Sequence, residues 1–309
     1  LQGGRKHGKP EKSKSIFLAS FNGLPVFGLE GGKKRIRIDF EINKLTLKTE
    51  PTEKCPKSSV VAGLEAKGRM LSRLSARSGL LADFCRVLEG GGVDRPTEIR
   101  RIILEDNVLG RPTSSARSKL FKELRSRYLL NAEHPLFIAF LEEWSSAGHL
   151  EERDLLVFVL LALNDLTVMT ITCEWLFPRL RGPNLQLRVE DLKIYLAQLG
   201  RTSHPEVSHW SPSTLARVAQ HYLATIRDCG MARGTIKKVA HRPALYSSPV
   251  RLLIKALRLA NVPITDLVRH EAFKIAGIAP FEVVDVLTEL NRQGSLSFRM
   301  QADVVELKL

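Results

Sequence analysis

The chain of 309 residues is 44% hydrophobic and 26% charged, which excludes disorder throughout and allows two domains, or three small ones, with sizeable buried cores. A formal net charge of +14 and a pI near 9.8 favour a polyanionic partner, either nucleic acid or an anionic membrane surface. That excess is uneven: residues 1–69 hold 15 Lys and Arg against 7 Asp and Glu, net +8, which leaves +6 for residues 70–309.

Residues 1–69 read as a basic appendage, partly disordered. The Gly-, Lys- and Ser-rich residues 1–15 predict disorder, and Ile36, Ile38, Phe40 and Ile42 alternate with polar residues as in a short strand or hairpin. Gly28-Leu29-Glu30-Gly31-Gly32-Lys33-Lys34 superficially resembles a phosphate loop, but the glycine-to-lysine spacing is wrong and no Ser or Thr follows to hold magnesium. The first methionine is Met70, so a chain opening on Leu1 is a processed fragment, a tag remnant or translation begun upstream of the usual start. No basic-apolar-small signal opens it.

Residues 70–185 predict an N-terminal helical domain. Leu74, Leu80, Leu81, Phe84 and Leu88 fit one amphipathic helix, ended by Gly90-Gly91-Gly92. Residues 95–128 then give the outline of a helix-turn-helix. Thr97 after Pro96 can cap a helix carrying Ile99, Ile102 and Ile103, which Leu109-Gly110-Arg111-Pro112 ends as a four-residue turn. Thr113 or Ser114 caps a second helix, with Ala116, Leu120, Leu124 and Tyr128 on the face that packs on the first, and Phe121 beside them. Solvent is left with Ser114, Ser115, Arg117, Ser118, Lys119, Lys122, Arg125 and Arg127, relieved only by Glu123. Such a helix suits the major groove, its hydroxyls near base edges or phosphates and its cations, with Arg111 of the turn, on the backbone. The plainer alternative is a solvated basic face on an ordinary helix pair.

Pro135–Ser146 reads as a helix, and Glu142-Glu143 and Glu151-Glu152 as solvated faces. The most apolar run, residues 155–163, lies in a helix extending to about Trp175 and ended by Pro178 and Gly182-Pro183. Asn164, Asp165 and Glu174 interrupt it short of the ~20 apolar residues of a spanning helix, so it reads as a buried core helix. Cys55, Cys85, Cys173 and Cys229 show no CxxC or zinc-finger spacing and read as reduced, mostly buried thiols of a cytoplasmic protein.

Residues 186–309 predict a C-terminal helical domain with winged-helix-like units. Residues 189–199 form a helix with Leu192, Tyr195, Leu196 and Leu199 inward. Ser211 then caps a helix with Pro212 just inside, burying Leu215, Val218, Ala219, Tyr222, Leu223 and Ile226 and ending at Gly230. Its exposed side offers Ser213, Thr214, Arg217, Gln220 and His221, and the extended segment behind it adds Arg233, Lys237, Lys238, His241 and Arg242, in the manner of a wing. The alternative is an interdomain helix followed by a basic loop. A third unit has helices over 264–275 and 280–292 and short strands at Leu296-Ser297-Phe298 and 304–309, joined through Gln301-Ala302-Asp303. Its second helix shows Glu282, Asp285 and Glu289, which repel phosphates, so it suits folding or protein docking better than DNA.

No HExxH, GxSxG or methyltransferase-like glycine loop is present, and His134, His149, His204 and His209 sit at helix boundaries or beside prolines, where capping outweighs metal ligation. No enzyme, cofactor, metal or small-molecule substrate is therefore expected.

The segments SRLSARSGLLADFCRVLEGG, EIRRIILEDNVLGRPTSSARSKLFKELRSRYL, WSPSTLARVAQHYLATIRDCGM, FEVVDVLTELNRQGSLSF and VVELKL, in that order, resemble the BrxA family of BREX bacteriophage-exclusion systems over residues 72–309. The resemblance implies an all-helical soluble protein without known enzymatic activity; with the strand pattern and cysteine usage read above, the expectation is an all-α, multi-helix globular fold with a short C-terminal β-hairpin, in the cytoplasm. It also implies two helix-turn-helix units flanked by positive surface that bind double-stranded DNA. On this chain the first unit is 97–128 and the second either 212–242 or 264–309, with charge favouring the former. Other BREX proteins are expected as partners, and no membrane. A protein-docking scaffold with incidental DNA affinity is the competing expectation. Residues 1–69 have no counterpart in the resemblance, which places the usual start near Met70.

Overall fold

An apolar stretch with no polar flank has to be enclosed on all sides, and most of the chain is arranged to do this for residues 155–163, none of which is more than 1% exposed. The computed structural model describes residues 61–64, 68–183, 185–301 and 304–309. The expected disorder over 1–15, the strand around Ile36, the glycine-rich Gly28 segment, Cys55 and the Ala302-Asp303 turn lie outside the described residues.

The helices in chain order are α1 (Leu81–Val87), α2 (Ile99–Leu104), α3 (Ser114–Tyr128), α4 (Pro135–Ser146), α5 (Leu150–Asn164), α6 (Leu166–Thr170) and α7 (Phe177–Leu180), the last two joined through a π-helical turn. After strand β1 (Gln186–Leu187) come α8 (Val189–Arg201) and α9 (Pro212–Asp228), strands β2 (Ala232–Arg233) and β3 (Lys238–Ala240), α10 (Ser247–Leu259), α11 (Ile264–Leu267) and α12 (Val283–Arg292). Strands β4 (Ser297–Gln301) and β5 (Val304–Lys308) close the chain. Among the described residues the fold is all-α apart from two small antiparallel sheets, one ordered β1-β3-β2 and the other the β4-β5 hairpin. Helix α5 carries the apolar run and is covered by α1, α3, α4, α9 and α10.

The expected helix through Trp175 is instead two, bent by 113° after Asn164. The bend has a polar cause. Asn164 Nδ2 donates to the Ser126 and Arg127 carbonyls at 2.8 and 2.9 Å, and Asp165, in extended conformation, caps the next helix by accepting from Thr167 N at 2.9 Å. Among the described residues no single helix is long and apolar enough to cross a membrane.

The expected first helix is also interrupted. Gly79 fits against Thr225, where a Cβ would come within 2.6 Å of its methyl carbon, and Leu80 turns left-handed at φ 62°, so Leu74 belongs to a separate 3-10 turn, Arg73–Ser75. In the third unit His270 is extended and its Nδ1 accepts from Ala272 N at 3.1 Å, which splits the expected 264–275 helix into α11 and a 3-10 turn, Glu271–Ala276.

The acidic pairs are only half solvated. Glu142 is exposed, but Glu143 is 3% exposed and meets Arg251 Nε at 2.7 Å and Lys255 Nζ at 2.6 Å, both from α10. Glu152, 6% exposed, accepts from the backbone N–H groups of Gly148 and Ser248, both at 3.1 Å. The correction follows from packing: α10 lays its basic flank along α4.

Replacing Glu143 by Ala is expected to cost about 2–4 kcal/mol, the lower part of the buried-pair range because Arg251 and Lys255 keep some solvent contact. Glu142→Ala is expected to cost under ~1 kcal/mol. Urea unfolding midpoints of the two variants measure the contrast, and equal midpoints would remove Glu143 from its structural role.

Candidate nucleic-acid interface

Helix α3 begins as the sequence predicts, with Thr113 Oγ1 accepting from Ala116 N at 3.1 Å. Leu120, Leu124 and Tyr128 are buried, but against more than the first helix: α3 lies on both α2 and α5, and Tyr128 stacks on Phe84 of α1 at 4.1 Å. Ser114, Ser115, Lys119, Lys122 and Arg125 are exposed, while Arg117 and Ser118 are half-buried. Lys119, Lys122 and Arg125 form no ion pair among the described residues.

The preceding helix is shorter than expected. Helix α2 spans six residues after a 3-10 turn, Pro96–Glu98, and neither has a side-chain cap, so Thr97 does not play that part. The link to α3 is residues 105–113 rather than a four-residue turn. Asn107 adopts φ 51° and accepts from Arg111 N at 2.8 Å, a local turn that competes with continuing the helix. Arg111 itself reaches both carboxylate oxygens of Asp83 at 3.0 Å, which ties it to α1.

Arg127, expected at the surface, is 3% exposed. Its guanidinium donates to the carbonyls of Arg73 at 3.2 Å and Arg77 at 3.1 Å and pairs with Glu123 at 3.3 Å. It therefore grips residues 71–80, a mostly non-helical strap. The Tyr128 hydroxyl holds the same strap by donating to Gly79 O. Helix α9 holds it from the other side: His221 donates from Nδ1 to Leu74 O, and Thr225 Oγ1 accepts from Gly79 N at 2.7 Å. The strap thus joins the two helices on which the sequence places its cations. It also adds two that pattern reading missed, Arg73 and Arg77, partly exposed near Asp165 (4.0 Å) and Glu123 (3.6 Å). Their signal was the Arg-Leu-Ser-Ala-Arg spacing between serines, which reads as part of a helix when the break at Gly79 is not known.

On α9, Ser211 caps as expected by accepting from Thr214 N at 3.1 Å, and its hydroxyl also meets those of Ser213 and Thr214, both at 2.9 Å. Arg217 and Gln220 remain exposed, whereas His221 is committed to the strap. Strands β2 and β3 pair with Arg233 opposite Val239 and present Arg233, Thr235, Ile236 and Lys237 to solvent. Lys238 donates to Thr235 O at 2.9 Å, and Arg242 pairs with Glu282 at 2.9 Å, which also takes Arg181 at 2.6 Å. So of the second group, Arg217, Arg233 and Lys237 have no ion pair among the described residues, while Lys238 and Arg242 are engaged.

The described thiols are unsuited to chemistry. Burial, helped by Asp154, pushes Cys85 up to about 12; burial pushes Cys173 up to about 12 and raises Cys229 further. Among the described residues no group of three or more His, Cys, Asp and Glu side chains could hold a metal ion.

A family model described as BrxA matches residues 71–256, from the start of the strap into α10. No curated protein and no solved structure matches the chain.

Two outcomes follow from this geometry. Arg127→Met is expected to lower stability by about 3 kcal/mol, since it leaves two strap carbonyls without their donor and Glu123 with only Arg77 at 3.6 Å, and Lys122→Met on the same helix by less than ~0.5 kcal/mol; chemical denaturation that ranks them equally would contradict the strap. In a Cys55→Ser variant at pH 8, a thiol near pKa 12 is thiolate in only ~10⁻⁴ of molecules, so Ellman's reagent is expected to leave Cys85, Cys173 and Cys229 unreacted until denaturant is added.

Proposed function

Because the chain belongs to the BrxA family and is thus a component of BREX bacteriophage defence, we propose that it acts in the cytoplasm as a non-enzymatic protein that binds double-stranded DNA. The observation that carries this reading is the exposed face of α3, where Lys119, Lys122 and Arg125 have no acidic partner among the described residues, although nearby arginines such as Arg127 and Arg111 do. Uncompensated cations along one helix neutralise phosphates and release counterions, the main sequence-independent source of DNA affinity. Ser114 and Ser115, exposed at the N-terminal end of the same helix, are where a helix in the major groove meets base edges or phosphates.

The second DNA-facing unit is then α8, α9 and the β2-β3 hairpin. Supporting it is the order strand, helix, helix, hairpin, with β1 closing on β3, the connectivity of a helix-turn-helix with a wing. Arg217 on the helix and Arg233 and Lys237 on the hairpin supply its charge.

The competing reading, a docking scaffold for other BREX proteins, is favoured by one observation in the third unit. Phe281 is 75% exposed at the start of an acidic helix that bears Asp285 and Glu289, chemistry that suits a protein surface and not phosphates. The two readings are compatible if the units divide the work.

Fluorescence anisotropy of a labelled duplex across a salt series tests the DNA reading. Wild type is expected to bind with a steep log-log salt dependence, and K119Q/K122Q/R125Q to flatten that slope by about 2.7, or 0.9 per contact. Unchanged slope and affinity would move the interface elsewhere; no duplex binding at low salt, together with a heterocomplex that survives nuclease and high salt, would leave docking as the function.

A further inference from the structure

Ile236 is 94% exposed, the highest among the exposed large apolar side chains of the described residues. It stands in the loop between β2 and β3, beyond the last paired residues, Arg233 and Val239. The loop is built rather than slack. Gly234 takes φ +91°, where a Cβ would come within 2.2 Å of Lys237 O, and Lys238 Nζ donates across the turn to Thr235 O at 2.9 Å. The turn therefore holds an isoleucine outward with Arg233 and Lys237 on either side, both exposed and without an ion pair among the described residues.

Resting on the DNA reading above, we propose that Ile236 is an apolar wedge that enters the minor groove of the bound duplex and bends it. An apolar tip between cations matches that groove, whose walls are phosphates and whose floor is base edges that open when a side chain is inserted at a base step. The reach is adequate: Ile236 is three residues past the last pair, at most about 10 Å at ~3.3 Å per residue, against a groove about 7.5 Å deep. Its place is also right, since the hairpin follows α9 directly and lies beside whatever groove that helix occupies. An anionic membrane is less well matched, because stable anchoring takes a broad apolar face and here Thr235 and Lys237 flank a single side chain.

The test uses the full chain and a duplex of about 30 base pairs labelled at both ends, so that energy transfer reports bending and anisotropy reports affinity. Substitution of a side chain this exposed leaves the fold intact, which an unchanged Tm confirms. Ile236→Ser is expected to abolish the bend and weaken binding about tenfold through lost apolar burial, with the salt slope unchanged; Ile236→Met is expected to keep the bend. Lys237→Gln is expected to keep the bend and lower the slope by about 0.9. A bend and affinity in Ile236→Ser equal to wild type overturn the wedge while the DNA reading stands. So does loss of sedimentation with phosphatidylserine vesicles in that variant with duplex binding intact, which makes the tip a membrane contact. No duplex binding by wild type removes both proposals together.

Discussion

Helix α5 has no side available to water over residues 155–163, and that constraint organises the rest of the molecule. Each of its Leu, Val and Phe side chains gains about 1.5–3 kcal/mol from complete burial, so the sequence around it has to deliver cover from every direction. Helices α1, α3, α4, α9 and α10 do so. The cations of α3 face solvent because its other flank, with Leu120, Leu124 and Tyr128 buried, is committed to the helices it packs on, α2 and α5. Where the apolar run stops, Asn164 turns the chain and in the same step hydrogen-bonds the carbonyls at the end of α3, so a single polar side chain fixes both the exit of the core helix and the last turn of the candidate reader.

The strap does for the interface what α5 does for the core. Arg127 and Tyr128 hold it from α3, His221 and Thr225 from α9, and four of these five bonds involve its carbonyls: Arg73, Arg77, Gly79 and Leu74. The fifth uses the Gly79 N–H. Backbone partners fix distance more tightly than paired flexible side chains, which lose rotamer freedom when they meet. The spacing of the two cation-bearing helices is thereby set without using the free lysines. The cost is that Arg127 and His221 are withdrawn from the surface.

How much could be read from the sequence depended on whether the deciding partner was close in the chain. Caps and turns were visible because Thr113 with Ala116, Ser211 with Thr214, and the glycine of Gly230 act within a few residues. Helix α4 and the terminal hairpin were visible for the same reason. Glu143 looked solvated because Arg251 and Lys255 lie more than 100 residues away. Arg127 looked exposed because the carbonyls it serves belong to a segment read as helix. The α2 to α3 link was misjudged locally: Asn107, a residue that tolerates positive φ, ended the helix earlier than Gly110 suggested. Strand β1 has two residues and carries no pattern of its own; only pairing with β3 makes it a strand.

The net charge of +14 overstates what the described surface offers a polyanion. Arg111, Arg127 and Arg242 are matched by Asp83, Glu123 and Glu282. Among the described residues, the exposed cations without an ion pair on the two candidate surfaces are Lys119, Lys122, Arg125, Arg217, Arg233 and Lys237; Arg117 also lacks one but is half-buried. On the DNA reading, six contacts give a salt slope of about −5, the regime in which affinity falls by orders of magnitude between low and physiological salt. Lysines supply two of the three exposed, unpaired charges described on α3, and a lysine meets phosphate as a point charge without the bidentate geometry by which arginine identifies guanine. Sequence preference would then rest on Ser114, Ser115 and Arg125 on one helix and Arg217 and Gln220 on the other, few groups capable of base readout against a larger set that reads only the backbone. On the DNA reading, that balance is the one expected of a protein held chiefly by charge and shape, with its strap fixing how far apart two grooves could be touched at once.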